Sequence, residues 1–145
     1  MPMSMAPMNR LTRGLSVYRA RRFGSEFSGY HHSLAISIFH SPGSTQEQLA
    51  ERLCLNKSTV ARGVTLLESR GYVTRTPNPS DKRELLVEPT DKLREIIPTI
   101  HAISYEWNAH VSEGISEEEL QVFSSVLRRM EENARRFLKE TEVSE

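Results

Sequence analysis

The chain has 145 residues, 37% of them apolar, with 19 basic and 19 acidic side chains. That length suits one domain with a modest core, a single cysteine excludes an intramolecular disulfide, and no apolar run is long enough to span a membrane. The zero net charge is unevenly spread: six bases face two acids from Lys57 to Arg83, and nine acids face five bases from Glu113 to Glu145, so a duplex meeting the first segment would feel a positive local field.

The first 25 residues hold five arginines and four methionines but no continuous hydrophobic segment like a signal peptide's core, so a cytoplasmic location is expected. Residues 1–8 are expected to be disordered or partner-bound, and residues 9–145 to form one domain. Leu11, Leu15, Tyr18, Phe23 and Phe27 recur at roughly helical spacing and predict a first helix over about Asn9 to Ser25. A shorter helix is predicted from Tyr30 to His40, with Leu34, Ile36, Ile38 and Phe39 apolar. Ser41-Pro42-Gly43-Ser44 stops it, and Thr45 with Gln48 has the spacing of a capping box for the next helix.

Residues 45–90 carry the most informative pattern. Gln48-Leu49-Ala50-Glu51-Arg52-Leu53-Cys54-Leu55-Asn56 reads as a short helix, a tight turn and the N-cap of a second helix. At 100° per residue Val60, Val64 and Leu67 share one side. The other side carries Ser58, Arg62, Thr65 and Ser69, with Lys57 and Thr59 near the start. Small hydroxyls allow close approach to base edges and phosphates, and a guanidinium suits guanine O6/N7 or phosphate. No carboxylate occurs between Asn56 and Leu67. The plain alternative is a solvated face that happens to lack acids.

Tyr72 to Thr76 and Glu84 to Glu88 suit paired strands, joined by turn chemistry in Pro77-Asn78-Pro79-Ser80-Asp81-Lys82. A stiff tip with Lys82 and Arg83 could place an arginine in a minor groove, and Asp81 could orient that guanidinium. Taken alone, the same residues describe an ordinary basic surface hairpin. Thr90 can cap a long helix holding Leu93, Ile96, Ile97, Ile100, Ile103, Trp107 and Val111, bent at Pro98 and ended by Glu113-Gly114. Ser116 to Glu119 forms a second capping box. The final helix carries Leu120, Phe123, Leu127, Met130, Ala134 and Phe137, a stripe too long for so small a domain to cover, which predicts packing against a partner subunit.

The expected fold is mainly α with a small β-hairpin wing: a winged helix-turn-helix over 41–89, flanked by dimerisation helices over 9–40 and 90–140. From Thr45 to Thr90 the chain resembles the MarR family of bacterial winged-helix transcription regulators. The resemblance rests on Gln46-Glu47-Gln48-Leu49-Ala50, Lys57-Ser58-Thr59-Val60-Ala61-Arg62, Leu67-Glu68-Ser69-Arg70-Gly71 and Asp81-x-Arg83. Cys54 stands where such units often have glycine, Leu93 replaces a glycine common after the wing, and Pro89-Thr90 stands where Leu-Thr is usual. The resemblance implies a nucleoid-associated homodimer on a pseudo-palindromic double-stranded DNA operator, acting as a repressor released by a small aromatic or phenolic effector.

Expected DNA contacts are Thr45, Asn56, Lys57, Ser58, Thr59, Arg62, Thr65, Arg75, Asp81, Lys82 and Arg83. Dimerisation is expected through Leu11 and Leu15 with Leu120, Phe123, Leu127, Met130 and Phe137. For the effector, Tyr18, Phe27, Tyr30, His31, His32, Phe39 and Trp107 could line a cleft between the dimerisation helices and the winged helix, or could simply be core. Metal sensing would draw on Glu26, His31, His32, His40, His101 and His110, but neither the nine-residue gap between His101 and His110 nor the adjacency of His31 and His32 suits a shared ion. Thiol sensing would need an exposed Cys54, and beside Leu53 and Leu55 a partly buried, inert thiol is expected. No enzyme motif is present and no cofactor is expected. A winged helix that binds protein instead of DNA is the remaining alternative.

Overall fold

The computed structural model describes residues 3–142. Six helices and three short strands follow in the order α1 (Ala6–Phe23), α2 (Tyr30–His40), β1 (Ser44–Thr45), α3 (Gln46–Leu53), α4 (Lys57–Ser69), β2 (Val73–Pro77), β3 (Leu85–Pro89), α5 (Asp91–Val111) and α6 (Glu117–Glu142). The chain divides into two compact units, and the division falls inside α5 after Trp107. No described helix is long and apolar enough to cross a membrane.

In the first unit a core forms where α2, α3, α4 and the sheet meet. Leu34 and Ile38 of α2, Leu49 of α3, Val60, Val64 and Leu67 of α4, and Val73 and Val87 of the sheet are all at most 1% exposed. Leu93, Ile97 and Ile100 of α5 join the same cluster. This is the inward face that the 3.6-residue period of α4 requires, and its opposite face is left in solvent. Gly63 lets α4 approach α2: a Cβ there would lie 2.7 Å from Leu34 Cδ2 and 2.8 Å from Tyr30 Cε2.

The helix starts are chemically specified. Thr45 Oγ1 accepts from Gln48 N (3.1 Å) while Gln48 Oε1 accepts from Thr45 N (2.9 Å), completing the capping box. Asn56 Oδ1 accepts from Thr59 N at 2.8 Å. Ser116 and Glu119 form the equivalent box at α6. In the sheet, β3 is central, antiparallel to β1 (Ser44↔Val87) and to β2 (Arg75↔Val87).

Several expectations shift. The first helix starts at Ala6, with Pro7 in its first turn, where a missing amide costs nothing. Within residues 1–8, expected to be disordered or partner-bound, Ala6 to Met8 are helical, and Met1 and Pro2 lie outside the described residues. The wing strands sit one residue later than expected, and β1 is an additional strand too short to leave a period in the sequence. Cys54 is exposed rather than partly buried, because it is the C-cap of α3 and turns outward in the left-handed region (φ 52°, ψ 41°).

A non-glycine residue in that region carries a steric cost that exceeds the extra chain entropy of glycine. Cys54→Gly is therefore expected to stabilise the fold by about 0.5–1 kcal/mol. A higher urea midpoint with an unchanged m-value would register this, and a lower midpoint would show that the thiol makes a compensating contact.

Candidate nucleic-acid interface

One surface of the first unit collects the outer face of α4, the N-terminus of α3 and the wing. Ser58, Arg62, Thr65 and Ser69 are exposed along α4, with Lys57 at its start. Their hydroxyls are locally tethered: Ser58 Oγ donates to Asn56 Oδ1 (3.0 Å), Thr65 Oγ1 to Ala61 O (2.9 Å) and Ser69 Oγ to Leu66 O (2.7 Å). Each tether uses the donor and leaves hydroxyl lone pairs outward. Among the described residues Arg62 donates only to Thr59 Oγ1, at 3.4 Å, and its side chain is exposed to solvent.

Beside this face, a groove of about 450 Å³ runs between the start of α3, the first turns of α4 and the base of the wing. Lys57 and Arg83 line it, as do Glu47 and Glu84. Lys57 Nζ lies 2.8 Å from Glu47 Oε1, and that carboxylate raises the lysine pKa, keeping it protonated. Glu47 was not among the residues expected here. Its place in the first turn of α3, facing the start of α4, follows only once the turn angle between the helices is known.

The wing tip is folded by its own polar groups. Asn78 Oδ1 accepts from Ser80 N (3.0 Å), Asn78 N donates to Glu84 O (2.9 Å) and Glu84 N donates to Asp81 O (3.0 Å). Asp81 Oδ1 accepts both Arg83 N and Arg83 Nε, each at 3.1 Å. The arginine holds the Asp81 carboxyl below its ordinary pKa. Arg83 remains 92% exposed: one edge of the guanidinium is fixed by Asp81 and the other is presented outward. Lys82 is exposed beside it.

Three of the expected contacts also make bonds within the protein. Arg75 does not face outward: its Nη2 and Nε donate to Glu68 Oε2 at 2.6 and 3.1 Å, and its amide donates to Glu68 Oε1 at 3.2 Å. This clasp ties the end of α4 to β2, and a carboxylate seven residues upstream across a turn gives no periodic signal. Thr45 and Asn56 use side-chain acceptors in helix capping and thereby set the N-termini of α3 and α4.

Several of the residues expected to line an effector cleft pack on the core or against one another. Phe27 is 1% exposed and packs against Phe23 and Tyr72 with ring centroids 5.4 and 4.9 Å away. Phe39 and Tyr30 pack on the core, Tyr18 and Trp107 pair with each other at 5.7 Å, and His31 lies against Tyr30. Among the described residues, no group of three or more His, Cys, Asp or Glu side chains is arranged to hold a metal ion. His32 is buried, and that burial pushes its pKa down to about 4, helped by the charges of Arg19 and His101.

Residues 31–85 match the family model described as MarR family. The Bacillus subtilis (strain 168) protein named uncharacterized HTH-type transcriptional regulator YybA is 28% identical over 101 residues, covering 70% of this chain and 67% of that protein. Of the solved structures, the MarR protein from Peptoclostridium difficile DA00132 has a TM-score of 0.90 at 20% identity, covering 97% of both chains. A Listeria monocytogenes structure of the MarR type, complexed with 26mer DNA, has a TM-score of 0.86 at 23% identity, covering 93% of this chain and 91% of that one. At these identities the structural likeness is one of fold.

The Arg75 clasp lowers the pKa of Glu68, chiefly through the side-chain hydrogen bond. A depressed carboxyl contributes stability above its unfolded pKa and loses it as pH falls through the folded value. The pair is partly exposed, so solvent screening keeps this contribution under about 1 kcal/mol. Glu68→Gln should accordingly lower stability at pH 7 and flatten the acid limb of an unfolding series below pH 5. An unaltered acid limb would mean that the clasp persists in the unfolded chain or contributes nothing.

Proposed function

As this chain belongs to the MarR family, we propose that it binds a specific double-stranded DNA site as a two-fold homodimer and represses transcription there until a small molecule releases it. The observation that carries this reading is the outward, carboxylate-free face of α4 beside a wing whose arginine is held at one edge and exposed at the other. An α-helix of this width enters a major groove, and a basic tip reaches the neighbouring minor groove. The Listeria monocytogenes relative complexed with DNA supports the same use of the shared fold.

Dimerisation is supported by the apolar surface of α6. Phe123 is 51% exposed, Leu127 37% and Phe137 64%, with Val122, Val126 and Leu138 exposed as well. An apolar band this long on one helix calls for a partner. On α1, Leu11 is 44% exposed. Two α4 helices related by a two-fold axis would read half-sites about one helical turn apart, giving a pseudo-palindromic operator.

Arg62 provides the test of base reading. Arg62→Ala should cost about 1–3 kcal/mol on the specific site and relax base preference there, with a smaller loss on random duplex. Equal losses on both duplexes would make Arg62 a phosphate contact.

For the wing, Arg83→Ala should weaken binding strongly and Arg83→Lys should restore only part of it, because an ammonium cannot offer one edge to Asp81 and another to DNA. Asp81→Ala should weaken binding too, although it removes a negative charge near the duplex. Simple electrostatics demands the opposite sign. Tighter binding by Asp81→Ala in an anisotropy titration would show that the carboxylate does not position the arginine.

A further inference from the structure

Beside Arg62, the outer face of α4 carries a shallow groove of about 430 Å³ lined by Ala61, Arg62, Thr65, Leu66 and Ser69. Ala61 and Leu66 are half-buried at its edges, whereas Arg62, Thr65 and Ser69 between them are exposed. Arg62 and Thr65 are three positions apart, which separates them by about 60° around the helix and about 4.5 Å along it. Successive base pairs are stacked about 3.4 Å apart. Two side chains at that spacing therefore address neighbouring base pairs.

The hydroxyl protons on this face are already committed. Thr65 Oγ1 donates to Ala61 O at 2.9 Å, Ser69 Oγ to Leu66 O at 2.7 Å and Ser58 Oγ to Asn56 Oδ1 at 3.0 Å. Each oxygen keeps its lone pairs and can only accept. Donors on the face come from Arg62, and Lys57 at the helix start shares its ammonium with Glu47 at 2.8 Å. Guanine displays two acceptors, N7 and O6, to the major groove and needs donors. The face suits guanine at Arg62 and is poorly matched to it at Thr65.

Thr65 offers a different pair of features. Its bond to Ala61 O fixes χ1, and the Cγ2 methyl on the same Cβ is fixed with it. An A·T pair shows adenine N6–H as a donor and the thymine 5-methyl as an apolar group. A C·G pair shows a donor but no methyl. The A·T pair therefore meets both the acceptor and the methyl of Thr65. Ala61, one turn back on the same side of the helix, extends the apolar contact.

We infer that Thr65 is a specificity-determining residue, selecting an A·T pair beside the guanine taken by Arg62 through the thymine 5-methyl and adenine N6. This rests on the DNA-binding reading above and adds to it the base demanded at the neighbouring position. The tether to Ala61 O is what gives the residue its selectivity, since a freely rotating hydroxyl could donate to guanine as readily as accept from adenine.

The test uses the full chain and a duplex obtained by selection from a random library, with fluorescence anisotropy as the readout. Each half-site is expected to hold an A·T pair next to a guanine. Replacing that thymine by deoxyuridine removes the methyl and keeps the base pairing. It should weaken binding about fourfold per half-site, the effect of uncovering one methyl group. At the same position 5-methylcytosine should bind about fourfold better than cytosine, for the same reason. Thr65→Ser keeps the hydroxyl and should erase most of the difference between thymine and uracil, whereas Thr65→Val keeps a methyl and should retain it. Equal affinity for the thymine and uracil duplexes, or a difference unchanged in Thr65→Ser, would overturn the inference while leaving the DNA-binding reading intact. A selected site lacking an A·T pair beside the guanine would do the same. Failure to select any sequence would overturn the DNA-binding reading itself, and this inference with it.

Discussion

The crossing of α4 over α2 at Gly63 sets the geometry on which the exposed surface depends. With a Cβ at that position, Leu34 and Tyr30 would be met at 2.7 and 2.8 Å, distances that neither an adjacent helix nor a close-packed core absorbs without movement. The glycine lets Val60, Val64 and Leu67 seat fully in the core. Because those three residues fix the rotation of α4, they also fix the outward direction of Arg62 and Thr65, one hundred degrees per residue away. Packing on one side of the helix thus determines chemistry on the other.

Formal charge overstates how strongly this surface attracts an anion. Of the six bases between Lys57 and Arg83, three are ion-paired: Lys57 with Glu47, Arg75 with Glu68 and Arg83 with Asp81. Arg70 donates to Glu26 O across to the α1–α2 connection. Arg62 and Lys82 remain without a carboxylate among the described residues. Such pairing trades long-range attraction for fixed direction, since a clamped guanidinium loses less rotamer freedom when it meets a ligand. A duplex approaching this face is therefore discriminated more by geometry than by bulk field, which suits a chain of zero net charge.

Legibility followed range. Helix α2 and the N-caps Thr45, Asn56 and Ser116 were readable because their signals are periodic or lie within four residues, as was the Asp81–Arg83 pairing two residues apart. What escaped depends on contacts distant in sequence or on direction in space. β1 is two residues long and exists only because β3 offers it an edge. Arg75 reads as a DNA contact from its charge alone; it shares the face of buried Val73, two residues before it, and only the return of β2 past the end of α4 brings Glu68 to it. Cys54 has apolar neighbours in sequence, whereas the left-handed cap leaves it exposed. Of the aromatic residues expected to line an effector cleft, Phe27 belongs to the core under Tyr72, and Trp107 covers Gly14, where a Cβ would meet its ring at 2.9 Å.

The first unit also ties its wing to its N-terminal helices by a polar route. Tyr72, at the entrance to β2, donates its hydroxyl to Glu26, which precedes Phe27 and the start of α2. Burial and that carboxylate together push the Tyr72 pKa up to about 12, so the hydroxyl remains a donor across the physiological range. Lys92 crosses the ring 4.4 Å from its centroid while donating to Arg70 O at 2.7 Å. Thr90 adds a bond to Gly71 O at 2.6 Å. The wing base, the end of α4 and the lead into α2 consequently share hydrogen bonds as well as a core. Two discrete arrangements of such a unit would have to differ by a rigid displacement of the whole, because bending any one element would strand donors that are now satisfied.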